Sequence, residues 1–96
     1  MDSRFPNSKF ALGQLAITPG AQAALVANGE EPFTYLLRHA QGDWGMLDSE
    51  DVAENEFSLA NALRLLSVYT LTDGTRLWVI TEADRSVTTI LLPEEY

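Results

Sequence analysis

An Asp-Gly pair between two β-prone runs constrains this chain more than any other feature. The run from Arg64 to Leu71 (RLLSVYTL) and the run from Arg76 to Thr81 (RLWVIT) flank Thr72-Asp73-Gly74-Thr75. Such a pair is a strong hairpin signal, because a two-residue type I′ turn needs positive φ at both central positions. Ser86 to Leu92 (SVTTILL) returns after the loop Glu82–Arg85. The last third therefore reads as a three-stranded antiparallel meander.

With Asp73 and Gly74 as the turn, Thr72 pairs with Thr75, Thr70 with Leu77, Val68 with Val79 and Leu66 with Thr81. A four-residue second loop sets Thr88 beside Val79 and Ile90 beside Leu77 on that same face. The opposite face then carries Leu71 with Arg76, Tyr69 with Trp78, and Ser67 with Ile80, and Thr89 and Leu91 join it. Leu66, Val68, Leu77, Val79 and Ile90 make the first face the seat for helices. Tyr69, Trp78, Ile80, Val87 and Leu91 make the second apolar as well. Either the rest of the chain wraps around it, or it stays open to a partner.

Phe10 to Ile17 is a candidate strand, weakened by Gly13. Thr18-Pro19-Gly20 has the form of an N-cap followed by proline in the first helical turn, and Asn28-Gly29 supplies the stop. A second helix begins near Pro32, with Phe33, Leu36, Leu37 and Ala40 as its buried stripe. Gly42 ends it, and Trp44 anchors the following connection. Asp48 caps a third helix with an acidic first turn, running to about Leu63, whose apolar face is Val52, Phe57, Leu59, Ala60 and Leu63. The expected fold is α+β, one domain over residues 1–96: an N-terminal strand, about three helices, then the meander, with helices packed on one face. Residues 1–8 are polar and irregular and are expected to fray.

At 46% hydrophobic residues the chain can build a modest core. No apolar run reaches the roughly 18 residues that would suggest a membrane span, and Met1 to Pro6 lacks a signal peptide's pattern, so a cytoplasmic location is the default expectation. The absence of cysteine removes disulfides, thiolate catalysis and thiolate zinc sites. Fourteen acidic against six basic side chains give a net charge of −8. That balance disfavours direct nucleic-acid binding, which depends on neutralising phosphates. It suits solubility, or an acidic face turned to a basic partner.

His39 is the only histidine. It falls late in the second helix and off the Phe33 stripe, the position of a surface or packing residue, and without a second histidine no transition-metal site is expected. Asp43, Asp48, Glu50, Asp51, Glu54 and Glu56 set six carboxylates within fourteen residues. They lack the alternation and central glycine of a calcium loop, so they read as a solvated helix face or an acidic docking surface. Arg85 at a loop tip, followed by Ser86 and Thr88, could clamp a phosphate. Joined by His39 and Tyr69, this set could imitate a metal-independent ribonuclease of barnase/RelE-like architecture. The simpler reading is an Asp84–Arg85 turn and threonines chosen for β-propensity. No Walker loop, dinucleotide fingerprint or nucleophile elbow is present.

The segments Leu12–Ala21, Arg38–Gly45, Arg64–Leu71 and Trp78–Tyr96 together resemble a family of small uncharacterised bacterial proteins carried on plasmids, integrative elements and prophages, often labelled "plasmid-related protein". The resemblance implies no catalytic residues and no cofactor. It implies a context, since accessory genes of mobile elements often encode anti-defence proteins, toxins or their partners. The leading expectation is a non-enzymatic protein-binding factor, such as an anti-CRISPR or anti-restriction inhibitor. Its partner would be basic or nucleic-acid-handling, met through Tyr69, Trp78, Ile80 and Leu91 or through Asp48, Glu50, Asp51 and Glu54. The open sheet face could equally serve self-association. The rival expectation is a small ribonuclease or toxin-like domain using His39 and Arg85, with Tyr69 or Thr88 assisting.

Overall fold

The structure, a computed structural model, describes all residues from Met1 to Tyr96. Strand β1 (Gln14–Ile17) precedes helices α1 (Pro19–Ala27), α2 (Pro32–Ala40) and α3 (Ser49–Ala60). Strands β2 (Leu65–Thr70), β3 (Arg76–Thr81) and β4 (Val87–Leu91) follow, and a 3-10 turn, Pro93–Glu95, ends the chain. The fold is α+β, with β2, β3 and β4 as the antiparallel meander. The sheet is nevertheless four-stranded and mixed, in the order β1-β4-β3-β2, because β1 adds parallel to β4.

The hairpin closes one residue away from the expected register. Leu71, not Thr72, faces Thr75, with the Leu71 N–H donating to the Thr75 carbonyl at 2.8 Å. The Gly74 N–H donates to the Leu71 carbonyl at 2.9 Å, and only Gly74, at φ +91°, takes the left-handed conformation. This is a three-residue loop, a tight turn closed by a left-handed glycine. Asp73 escapes positive φ because its neighbours hold it otherwise. Its N–H donates to the Asn28 side-chain oxygen (2.9 Å), and its carboxylate accepts from the Thr75 N–H (3.0 Å). The Glu30 carboxylate accepts from both the N–H and the hydroxyl of Thr72.

A one-residue slip exchanges every side chain of β2 between faces. Tyr69 therefore faces Leu77 and Val68 faces Trp78, so the expected Tyr69–Trp78 pair does not form. Leu65, Ser67, Tyr69 and Leu71 point to the helices, while Leu66 and Val68 turn to the other face. Between β3 and β4 the slip is two residues (Val79 faces Ile90, Thr81 faces Thr88), which leaves those faces as expected.

The core lies under α1 and α2. Ala21 and Leu25 descend from α1, and Tyr35, Leu36, His39 and Ala40 from α2, onto Leu65, Tyr69, Leu77, Val79 and Ile90. The buried stripe of α2 is thus rotated from the expected one. Phe33 is half exposed, stacking on Phe5 at 5.3 Å between ring centroids. The inward positions carry polar atoms, which an apolar pattern passes over. Residues 1–8 do not fray: Phe5 and Ser8 are buried, and the Asp2 carboxylate pairs with Arg4 and accepts the Leu12 N–H. In α3, Phe57 points outward instead of inward, and Asn55 is the buried residue.

Asn55 explains how the sheet ends on that side. Its amide forks onto the outer edge of β2, donating to the Leu66 carbonyl (2.5 Å) and accepting the Leu66 N–H (3.2 Å). One step along, the Val68 N–H donates to the Trp44 carbonyl, and the Met46 N–H to the Val68 carbonyl. The β2 edge is closed by the chain itself. Gly45 makes this approach possible. A Cβ there would collide with the Val68 carbonyl oxygen and lie 2.7 Å from the Tyr69 ring, at φ +76°. Gly74 has open space around the same position.

Gly74→Ala should therefore cost about 1–2 kcal/mol, the left-handed backbone strain alone. Gly45→Ala should cost clearly more, because the bridge to β2 must separate as well. Urea denaturation of the two variants checks the order, and equal losses would contradict the close approach at Gly45.

Candidate functional site

His39 is the centre of a buried polar chain. Burial leaves it 0% exposed, with Nδ1 2.6 Å from Ser67 Oγ and Nε2 2.9 Å from Thr81 Oγ1. Thr81 Oγ1 lies 2.7 Å from Thr88 Oγ1, and the Thr88 hydroxyl donates to the Leu12 carbonyl at 2.8 Å. That carbonyl can only accept, so the single proton of Thr88 is committed to it. Thr88 must then accept from Thr81, and Thr81 must accept from the Nε2–H of His39. Ser67 in turn donates to Nδ1. The neutral Nε2–H tautomer follows from counting protons. No buried side-chain nitrogen or oxygen lacks a partner.

Ser67 and Thr81 reach the imidazole only because the one-residue slip turned Ser67 inward and because Thr81 shares its face. Phe10 closes the ring edge-on at 5.2 Å between centroids, and Trp44 at 5.7 Å. Burial, and then the positive charge of Arg85, push the imidazole pKa down to about 3. The ring is a neutral structural node with no path to solvent.

Arg85 is spent elsewhere. Its guanidinium donates to the carbonyls of Leu63, Glu82, Ala83 and Ser58 and stacks over Phe10 at 5.7 Å. It clips the end of α3 to the β3–β4 loop, and it makes no salt bridge with Asp84, whose carboxylate instead accepts the Ser86 N–H. Arg85 itself sits at φ +60°, so the tip conformation belongs to this clip. Tyr69 is 1% exposed, donates its hydroxyl to the Asp43 carbonyl and lies under the Arg38 guanidinium. Thr88 is fully buried. His39, Tyr69 and Thr88 are thus closed to solvent, and none of them lines a surface cavity with Arg85.

The second sheet face is largely self-covered. Tyr96 packs on Trp78 at 5.7 Å between centroids, and Arg64 lies over Tyr96 while donating to its hydroxyl at 2.6 Å. The Glu95 carboxylate holds this tail down by accepting from the Thr18 hydroxyl and the N–H groups of Gly20 and Leu92. Ile80 and Leu91, on the same face, are each 6% exposed. What remains is an apolar groove of about 260 Å³ between Arg64, Leu66, Trp78, Ile80 and Tyr96. The expected docking patch of Tyr69, Trp78, Ile80 and Leu91 thus loses Tyr69 to the core and two members to burial.

The acidic candidates stand in the open. Asp48 caps α3 by accepting the Asp51 N–H (2.9 Å), which accounts for one carboxylate structurally. Glu56 accepts the Trp44 indole N–H (2.7 Å) and pins the buried Trp44 ring. Glu50, Asp51 and Glu54 are exposed and line one shallow surface with Ala53 and Phe57, whose side chain is 61% exposed. The ion pairs of the molecule are Arg4–Asp2, Arg38–Asp43 and Arg64–Glu82, so these three carboxylates have no cation of their own. No three His, Asp or Glu side chains converge as a metal site, and no helix is long and apolar enough to cross a membrane. No family model, curated protein or solved structure matches the chain.

Sequence reasoning found the carboxylates and missed Phe57 beside them, having counted it as core. The missed signal was Asn55. Val52, Asn55 and Leu59 lie at i, i+3 and i+7, and on that face Phe57 is outside.

The buried imidazole makes stability depend on pH in a defined direction. The folded value is about 3 and the unfolded value 6.5, so the unfolded chain takes up the proton first. The contribution is complete above pH 6.5 and is lost as pH falls, by about 1.4 kcal/mol per unit once well below it. With one histidine in the chain, the loss between about pH 6.5 and 5 reports His39, before most carboxylates titrate. Urea midpoints across that window should fall steadily for the parent. They should stay flat for His39→Gln, which should start about 1–3 kcal/mol lower at pH 8.

Proposed function

We propose that the protein is a non-enzymatic binding factor that presents the outer face of α3 to a basic protein partner. The observation that carries this reading is the unpaired set Glu50, Asp51 and Glu54 around the exposed ring of Phe57. Unpaired carboxylates attract arginine and lysine side chains and raise association rates. An aromatic ring in their midst offers an apolar anchor, and a face over which a cation can sit. The only histidine and the loop arginine, the groups a small nuclease would need, are held in structural roles. The resemblance to proteins of plasmids, integrative elements and prophages suggests where such a factor would act. An inhibitor of a nucleic-acid-handling defence enzyme, of the anti-CRISPR or anti-restriction kind, fits an acidic surface that competes with nucleic acid for basic groups.

The test is affinity capture from host lysate with the parent and two variants, Phe57→Ala and the triple Glu50→Gln/Asp51→Asn/Glu54→Gln. A specific basic partner should be recovered with the parent and lost with both variants, with affinity down roughly tenfold or more. Melting temperatures should change little, since the substituted groups are exposed. Recovery of no basic protein at low or physiological salt, or equal recovery with the triple variant, would count against the reading.

A further inference from the structure

The two edges of the sheet are treated differently. The β2 edge is closed by the Asn55 fork and by the Trp44–Met46 segment. The β1 edge has neither. Gln14 N–H donates to the Ser86 carbonyl and Thr18 N–H to the Ile90 carbonyl, so the backbone groups of residues 14, 16 and 18 turn toward β4. By the two-residue period of a strand, the N–H and C=O of Leu15 and Ile17 turn away from the sheet. Gln14, Leu15 and Ala16 are exposed, Leu15 by 43%, and Gln-Leu-Ala-Ile contains no charge and no proline. Natural edges are blunted by short strands, charges, prolines, bulges or a covering segment, and β1, though only four residues long, carries none of the others within it.

We propose that β1 is a self-association edge, occupied by β1 of a second copy in antiparallel pairing about a two-fold axis at Ala16. In that register Leu15 exchanges both backbone hydrogen bonds with Ile17 of the second copy, and Ile17 with its Leu15. Ala16 meets its own counterpart at the non-hydrogen-bonded position, where strands come closest and a small side chain fits. Leu15 and Ile17 lie on the helix-covered face with Thr88 and Ile90, so pairing brings four aliphatic side chains together and covers Leu15. Two four-stranded sheets become one continuous sheet.

The distribution of charge selects a second copy as the occupant. The carboxylate-rich helix α3 attaches at the β2 edge, on the far side of the sheet. At about 4.8 Å per strand, β2 lies roughly 14 Å from β1. That exceeds the screening length of about 8 Å at physiological ionic strength. The carboxylates of α3 therefore oppose the contact weakly, the four paired residues are uncharged, and antiparallel pairing sets the Gly13 end of one copy, which holds Arg4, beside the Thr18 end of the other, which holds Glu95. An isologous pairing also uses up the single open edge of each chain, so association stops at the dimer instead of running on as a filament. The dimer would carry its two acidic faces at opposite ends.

Sedimentation equilibrium on the full chain tests this, with Leu15→Lys and Leu15→Pro as variants. Because the Leu15 N–H points away from β4, proline there removes an outward donor and leaves the internal ladder intact. The parent should dimerise, both variants should weaken the dimer roughly tenfold or more, and both should keep the parent's circular dichroism spectrum. Should a variant fold poorly, amide exchange on the parent decides. The Leu15 and Ile17 amides should gain protection as concentration rises, while those of Gln14 and Thr18 are protected throughout. A parent that stays monomeric up to about 1 mM, the weak end of specific association, would overturn the proposal. So would a dimer that Leu15→Lys leaves untouched, which would place the contact on the Trp78 face. Protection of the two amides only by an added peptide of different sequence would overturn it as well.

Discussion

The buried hydrogen-bond chain Ser67–His39–Thr81–Thr88–Leu12 ties every layer of this domain to the others. It links β2, α2, β3, β4 and the segment before β1 through side chains that are each fully buried or nearly so. A chain of this kind stabilises only when every member is satisfied, since one unpaired buried group costs about as much as a hydrogen bond returns. Here the terminal carbonyl acceptor sets the proton order of the whole series. The requirement also fixes register. A further one-residue slip of β2 would remove Ser67 from Nδ1 and set an aliphatic side chain against it, so the polar core selects one strand alignment from several that would bury similar apolar area.

That selection explains what was legible in the sequence. Elements whose signals are local were readable, including the Thr18 and Asp48 caps, the Asn28-Gly29 stop, the Trp44 anchor and the meander. The faces of β3 and β4 were readable too, but not those of β2, because its register depends on whether Asp73 takes positive φ, which is decided by Asn28 and Glu30 reaching across from the α1–α2 connection. The rotation of α2 and the inward turn of Asn55 were hidden for a related reason. Tyr35, His39 and Asn55 look polar in a hydrophobicity pattern, yet each is buried with its polar atoms bonded. The parallel placement of β1 and the docking of residues 1–8 are long-range pairings that no local signal announces.

The same organisation separates what the interior uses from what the surface leaves exposed. Groups able to move protons or hold phosphate, His39 and Arg85, serve as internal ties. Carboxylates without a cation are found along the chain, and on α3 three of them surround the exposed Phe57. The chain closes one sheet edge with Asn55 and much of one sheet face with Tyr96, and leaves β1 free of both devices.

The central claim is that His39 is a buried, neutral, Nε2-protonated tie and not a reactive group. Nitrogen-15 NMR of the ring, followed across pH in the folded protein, tests it most directly. Nδ1 should resonate as an unprotonated acceptor and Nε2 as a protonated donor, with no change from pH 8 down to about 5, well above the folded value. A titration midpoint near 6.5, or a proton resident on Nδ1, would contradict the account.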